Sequence, residues 1–243
     1  MCETKSLVAQ PSTRRHFLRG SSALAATIAG LTSSVPTSAW ADKTVPKPHN
    51  VVTPDDAIAR LKEGNARYVA GLMRRHDFAS ERKSLTQGQN PYAALLSCAD
   101  SRVAPEYAFD SVRGDLFTTR VAGNIVSTDV TGSLEYAVAV LKVPLIVVLG
   151  HDKCGAVDAA LNAHFKGTTY PGSIQSIVEQ MSLTVRKVEK APDRLAAAVS
   201  QNVSDNISAL RAASAILRDA EAKGALKIVG GVYRLGSGKV DLI

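Results

Sequence analysis

This 243-residue sequence predicts an α/β fold: a mostly parallel central β-sheet flanked by α-helices, with an N-terminal helical arm and a C-terminal β-hairpin. Three observations carry that expectation. Two apolar, β-rich runs, 92–97 and 143–150, each end in Ser or Gly, the pattern of parallel strands covered on both faces. Strand, helix and strand follow one another from Leu116 to Gly150, an order that calls for right-handed crossovers in a parallel sheet. Finally, Gly236-Ser237-Gly238 separates two short β-prone segments at the C-terminus, as a hairpin turn does.

The elements follow in order. Thr53-Pro54-Asp55-Asp56 reads as an N-cap with proline at the first helical position. It opens an amphipathic helix that uses Ala57, Ile58, Leu61 and Tyr68. Tyr92 to Ser97 is the first strand, Leu116 to Val121 the second, and Gly132 to Lys142 a helix with Leu134, Val138 and Leu141 on one face. Val143 to Gly150 is the third strand, and a further helix begins near Ala156. From Ser173 to Lys190 and from Asp193 to Lys223 the pattern is helical and Ala-rich, broken at Pro192, and reads as helices covering the sheet. Ala225 to Tyr233 returns as a strand, and Lys239 to Ile243 pairs back on it. There is no internal repeat and no phosphate-binding glycine loop.

Chemistry concentrates at two strand ends. Cys98-Ala99-Asp100-Ser101-Arg102 follows the first strand and His151-Asp152-Lys153-Cys154 the third, where open α/β sheets place their ligands. Two thiolates and an imidazole are a donor set that Zn²⁺ prefers, and three protein ligands leave a fourth tetrahedral position for water or for Asp100. A disulfide between Cys98 and Cys154 is the competing structural reading; no Cys-X-X-Cys motif exists for redox chemistry. Arg102 can hold Asp100 in a bidentate pair that keeps it ionised and off the metal. A Gly at position 155 would let the chain turn tightly into the next helix, whose N-terminal amides would favour the Cys154 thiolate.

These segments, together with Gly114-Asp115-Leu116-Phe117, Arg120-Val121-Ala122-Gly123-Asn124, Glu135-Tyr136-Ala137-Val138, Gly155-Ala156 and Ile228-Val229-Gly230-Gly231-Val232-Tyr233, resemble the β-class carbonic anhydrases from about Asp55 to the C-terminus. The resemblance implies reversible hydration of CO2 to bicarbonate and a proton, by attack of hydroxide held on one Zn²⁺ per chain. Cys98, His151 and Cys154 would be the metal ligands, with Asp100 joining them in a closed state. Asp100 and Arg102 would be the catalytic dyad. Gln89, Phe117, Tyr136 and Gly155 would line the substrate pocket, and the assembly would be a homodimer or homotetramer with N-terminal helices reaching to a neighbour. Arg120 and Tyr233 match positions of an inhibitory bicarbonate site in the family, whereas Leu95 stands where members with that site carry Trp. Within enzymes the alternative is hydrolysis of a CO2 analogue, carbonyl sulfide or carbon disulfide; outside them it is a non-catalytic zinc or bicarbonate binder. His49, His76 and His164 are candidate proton shuttles.

The first 41 residues carry an address. Thr13-Arg14-Arg15-His16-Phe17-Leu18-Arg19 is a twin-arginine motif, followed by an Ala-rich stretch from Ala23 to Leu31 and a small-X-small site at Ala39-Trp40-Ala41. The stretch is too short to span a membrane, and no Cys follows the cleavage site for a lipid anchor. The expectation is export by the twin-arginine machinery to the periplasm or beyond, with a linker over residues 42–54 and the catalytic domain over 55–243. The formal charge of +7, of which the first 41 residues supply +3 (four Lys/Arg against one Glu), is too mild and scattered for nucleic-acid binding.

Overall fold

The computed structural model describes residues 50–243; the expected export signal and the first part of the expected linker lie outside the described residues. Helix α1 (Pro54–Val69) starts where Thr53 caps it: the Thr53 hydroxyl accepts from the Asp56 amide at 3.2 Å, and the Asp56 carboxylate accepts from the Thr53 amide. Just before it, Asn50 is buried, donating to the Asn90 carbonyl and accepting from Arg60 at 2.5 Å. The end of the expected linker is therefore anchored to the domain.

Five strands form one sheet in the order β2-β1-β3-β4-β5, where β1 is Ala93–Ser97, β2 Leu116–Arg120, β3 Leu145–His151, β4 Lys227–Tyr233 and β5 Val240–Leu242. The first four run parallel, and β5 pairs antiparallel with β4 as the hairpin requires. Every residue of β1 and β3 is buried, which is why both read as unbroken apolar runs. Alternate side chains serve two cores. Ala93, Leu95, Leu145, Val147 and Leu149 pack with α1 and the short α3 (Pro105–Ala108). Ala94, Leu96, Ile146 and Val148 pack toward α4 (Thr128–Ala139), α5 (Gly155–Lys166), α6 (Ile174–Gln180), α7 (Ser182–Lys187), α8 (Arg194–Ala213) and α9 (Ala215–Ala222). Each fully buried Leu, Ile or Val contributes about 1.5–3 kcal/mol relative to exposure.

Helix α8 lies directly on the sheet backbone. A Cβ at Gly150 would stand 2.7 Å from Val203 Cγ2, and one at Gly230 2.6 Å from Val203 Cγ1. Two glycines on adjacent strands thus make the seat for one valine.

Boundaries differ from the sequence expectation where capping decides them. The helix expected over 132–142 begins at Thr128, because Ser127 caps it through the Val130 amide, and ends at Ala139, ahead of the left-handed Lys142 (φ 59°). The long helical run to Lys223 breaks at Ser214, whose extended backbone ends α8 and whose hydroxyl caps α9 through the Leu217 amide at 3.1 Å. The short helices α2 (Phe78–Ser84) and α3 were not anticipated; α2 is capped by Asp77. Among the described residues no helix is long and apolar enough to cross a membrane.

Candidate metal centre and active site

The chain passes from β1 out to β2 on one side, then returns to place β3 on the other side of β1. The crevice at this reversal of strand order opens at the carboxyl ends of β1 and β3, where Cys98 and His151 stand. Cys154 joins them as the N-cap of α5. One sulfur or nitrogen atom from each of the three lies within 4.8 Å of the others, and all three residues are buried. The two sulfurs are 3.9 Å apart and both cysteines are free, so no disulfide joins them.

The imidazole is oriented for a ligand. His151 Nδ1 lies 2.9 Å from the Asp152 carbonyl, which can only accept, so Nδ1 carries the hydrogen and Nε2 presents its lone pair. Nε2 is buried and has no hydrogen-bond partner. A buried acceptor left without a partner beside two thiols is a donor set that fits a cation, and two sulfurs with one imidazole nitrogen suit zinc. Asp152 in turn accepts from the Leu235 amide at 2.9 Å, tying the loop to the hairpin.

The two thiols are in hydrogen-bond contact and influence each other's ionisation. The hydrogen bond between Cys154 and Cys98 draws the Cys98 thiol down to about 4 against the opposing effect of burial, with further help from the Gly123 amide. The same bond, joined by burial, pushes Cys154 upward, although the Ala156 and Val157 amides of α5 pull the other way. The terminus of α5 faces the Cys154 sulfur as expected, and its amides favour the ionised form of that thiol.

Asp100 and Arg102 form the expected pair. Nε and Nη2 of Arg102 donate to the two carboxylate oxygens at 2.9 and 2.7 Å, and the Arg102 amide adds a third bond at 2.9 Å. These bonds, outweighing desolvation, hold the Asp100 carboxyl well below the usual carboxylate range. Its Oδ2 stands 3.8 Å from His151 Nε2, at the edge of the cluster.

The remaining candidates are spread more widely. Phe117 on β2 and Tyr136 on α4 face each other at 6.2 Å between ring centres, and Tyr136 is half exposed. Gln89 is exposed in the loop before β1. Gly155 is a correction in detail: its backbone is helical, and a Cβ there would meet nothing within 4 Å. The tight turn falls instead on Lys153, with φ 53°. Gly123 does need glycine, with φ 75° and a Cβ that would crowd Ala156 and Met181 at 3.3 Å; its amide donates to Cys98 Sγ at 3.4 Å. Arg120 donates to the carbonyls of Cys98 and Asp100 at 3.0 and 2.7 Å, so it braces the ligand loop. Tyr233 shares a hydrogen bond with Tyr68 at 3.1 Å, and burial with that contact pushes its phenol up to about 12. Leu95 is fully buried. His76 pairs with Glu81 at 3.1 Å and His164 packs edge-on to Phe165, while His49 lies outside the described residues.

A family model described as Carbonic anhydrase matches residues 93–240, a span that holds Cys98, Asp100, Arg102, His151 and Cys154. The chain belongs to the carbonic anhydrase family. It is 44% identical over 191 residues to a carbonic anhydrase of Mycolicibacterium smegmatis, a match covering 78% of this chain and 93% of that one. Among solved structures it is similar to the β-carbonic anhydrase of Coccomyxa in complex with acetazolamide, with a TM-score of 0.62, 29% identity and coverage of 76% of this chain and 86% of that one. It is similar also to a chain from the two tetrameric β-carbonic anhydrases of Sordaria macrospora, with a TM-score of 0.61, 25% identity and coverage of 78% and 97%. The protein is thus a carbonic anhydrase of the β class, an enzyme of CO2 hydration. None of these relatives lends support to hydrolysis of a CO2 analogue or to a non-catalytic binder.

The sequence reading missed Asn202 and Asn206, taken there as part of helices that merely cover the sheet. Both are buried, and the Asn202 amide donates to the Gly123 carbonyl at 2.8 Å. Two asparagines four residues apart on the apolar stripe of a helix were the available signal, since asparagine is a poor helix former.

Proposed function

We propose that this carbonic anhydrase works with one zinc per chain, held by Cys98, His151 and Cys154. The observation that carries the proposal is the buried, partnerless Nε2 of His151 within reach of two thiols and beside an arginine-locked carboxylate. Zinc bound there would supply a Lewis acid able to bring a water molecule to ionisation near neutral pH.

The chain's own residues then do the rest. Asp100, kept ionised by Arg102, is an acceptor only. Its carboxylate would accept a hydrogen bond from the attacking water or hydroxyl and so orient that oxygen toward the carbon of CO2. Arg102 fixes both carboxylate oxygens and so holds Asp100 away from the metal position, the open arrangement. Release of that grip would let Asp100 take the fourth position, the closed arrangement. Phe117 and Tyr136 offer an aromatic wall for CO2, and the exposure of Tyr136 and Gln89 leaves them available to a pocket completed across a subunit interface. A homodimer or homotetramer is the assembly we infer, supported by the likeness to tetrameric relatives.

We assign residues 1–41 to a twin-arginine export signal and the mature enzyme to the periplasm or the exterior, a reading supported by the ordered motif, apolar stretch and cleavage site. Cleavage after Ala41 removes Trp40, the only tryptophan. Mature protein from the periplasmic fraction is therefore expected to lack tryptophan fluorescence, and retained Trp emission there would contradict the assignment.

Stopped-flow CO2 hydration with zinc determined on the same sample tests the central proposal. About one zinc per chain with activity is expected, and Cys98→Ser and His151→Ala are expected to lose both. Bound zinc with no hydration at any pH would refute it.

A further inference from the structure

We propose that Asn202 and Asn206 of α8 are positioning residues for the sulfur of Cys98. The inference rests on the reading of Cys98 as a zinc ligand. Four hydrogen bonds run in one direction toward that sulfur. The Val126 amide donates to Asn206 Oδ1 at 2.8 Å, and Asn206 Nδ2 donates to Asn202 Oδ1 at 3.0 Å. Asn202 Nδ2 then donates to the Gly123 carbonyl at 2.8 Å, and the Gly123 amide to Cys98 Sγ at 3.4 Å. A backbone N–H at one end can only donate, and a carbonyl at the Gly123 step can only accept, so the orientation of both side-chain amides is fixed by their partners.

The pair holds the tight turn Ala122–Asn124 from within, through the carbonyl of Gly123, and holds the chain two residues past it, through the amide of Val126. That turn has left-handed backbone at Gly123 (φ 75°) and at the buried Asn124 (φ 43°), a shape that needs outside support. The helix that supplies the support is itself seated through Val203 against Gly150, the residue before His151. One helix therefore references the donor to Cys98 against the strand that carries the histidine ligand. An N–H aimed at a ligand sulfur, held by partners that touch no metal, is an outer-shell device of the kind that tunes metal retention.

The test uses the zinc-loaded enzyme and follows zinc transfer to a chromophoric chelator, alongside thermal unfolding. Asn202→Leu, close in size but unable to donate, is expected to release zinc about tenfold faster or more. Asn206→Ala keeps the Gly123 bond but removes its support, and is expected to fall between that variant and wild type. Leu210→Ala, a cavity in the same helix away from the turn, is expected to lower the melting temperature and release zinc at the wild-type rate. Wild-type release from both asparagine variants would overturn the proposal, as would release from Leu210→Ala as fast as from Asn202→Leu. Should Asn202→Leu not fold, Asn206→Ala decides alone. A wild-type protein that takes up no zinc would overturn the metal assignment itself, and this inference with it.

Discussion

Replacing Asp100 by alanine separates chemistry from metal binding. Asp100 is not one of the three clustered donors, and its nearer oxygen stands 3.8 Å from His151 Nε2, so zinc is expected to stay. What disappears is the acceptor that three Arg102 donors hold in a single orientation. A positioned acid or base contributes about 10²–10⁴-fold to a rate. Asp100 orients a hydroxyl instead of removing its proton, which puts the loss at the low end, about 100-fold in kcat, or about 2.7 kcal/mol in the barrier. The fold has little at stake, because Arg102 already has half its side chain in water and regains solvent when its partner goes. The assay is stopped-flow CO2 hydration at about pH 8, with zinc content and melting temperature on the same preparations. Wild-type kcat in the variant would refute the orienting role, and loss of zinc with unchanged stability would show Asp100 to be a ligand of the resting site.

Three further outcomes are expected. Asp110 is fully buried; burial alone would raise its pKa, but the Arg67 side chain at 2.5 Å and the Arg74 amide, with its guanidinium, outweigh it and hold the carboxyl below the ordinary range. Its contribution to stability is therefore fully present above the unfolded carboxylate value near 3.9 and is lost as pH falls through the lower folded value; melting temperature should stay level from neutral pH to about pH 5 and drop in stronger acid, and Asp110→Asn should flatten that drop. Asn65 donates to the Ala108 and Gly238 carbonyls and accepts from the Val240 amide, each at 2.8 Å; leaving three backbone groups unsatisfied in Asn65→Ala should destabilise by about 3 kcal/mol or more in urea unfolding, and a change below about 1 kcal/mol would contradict it. With zinc removed, the sulfurs of Cys98 and Cys154, 3.9 Å apart, should form a disulfide under mild oxidant, read as loss of two titratable thiols; full recovery on adding zinc without reductant would contradict it.

Much of this was legible in the sequence because the informative residues are short-range or strongly patterned. The unbroken burial of β1 and β3 left continuous apolar runs, and the clustered Cys98, His151 and Cys154 lie at or just past the ends of those strands. The helix start at Thr53 was visible for the same local reason. Gly155 was misread because its φ is ordinary, and the strain it was meant to relieve falls on Lys153, a residue with no sequence mark of left-handed backbone. Asn202 and Asn206 lie about a hundred residues beyond Cys98, and nothing local to α8 reveals which loop they hold. The cap at Ser127 was passed over because the Thr, Asp, Val and Gly that follow it are weak helix formers, whereas the break at Ser214 was outweighed by the Ala-rich helical pattern around it.

The seat of α8 on Gly150 and Gly230 also bears on how this enzyme can change over generations. Val203 is within 2.7 Å of where either glycine would place a methyl group, so a first mutation at 150 meets a collision that a second at 203 must relieve, and one at 230 meets Ile243 as well, at 2.9 Å. A smaller residue at 203 alone leaves a void over two central strands. Neither order of events offers an easy first step. The three positions are therefore constrained together, and variation near His151 is easier in the loop that follows it.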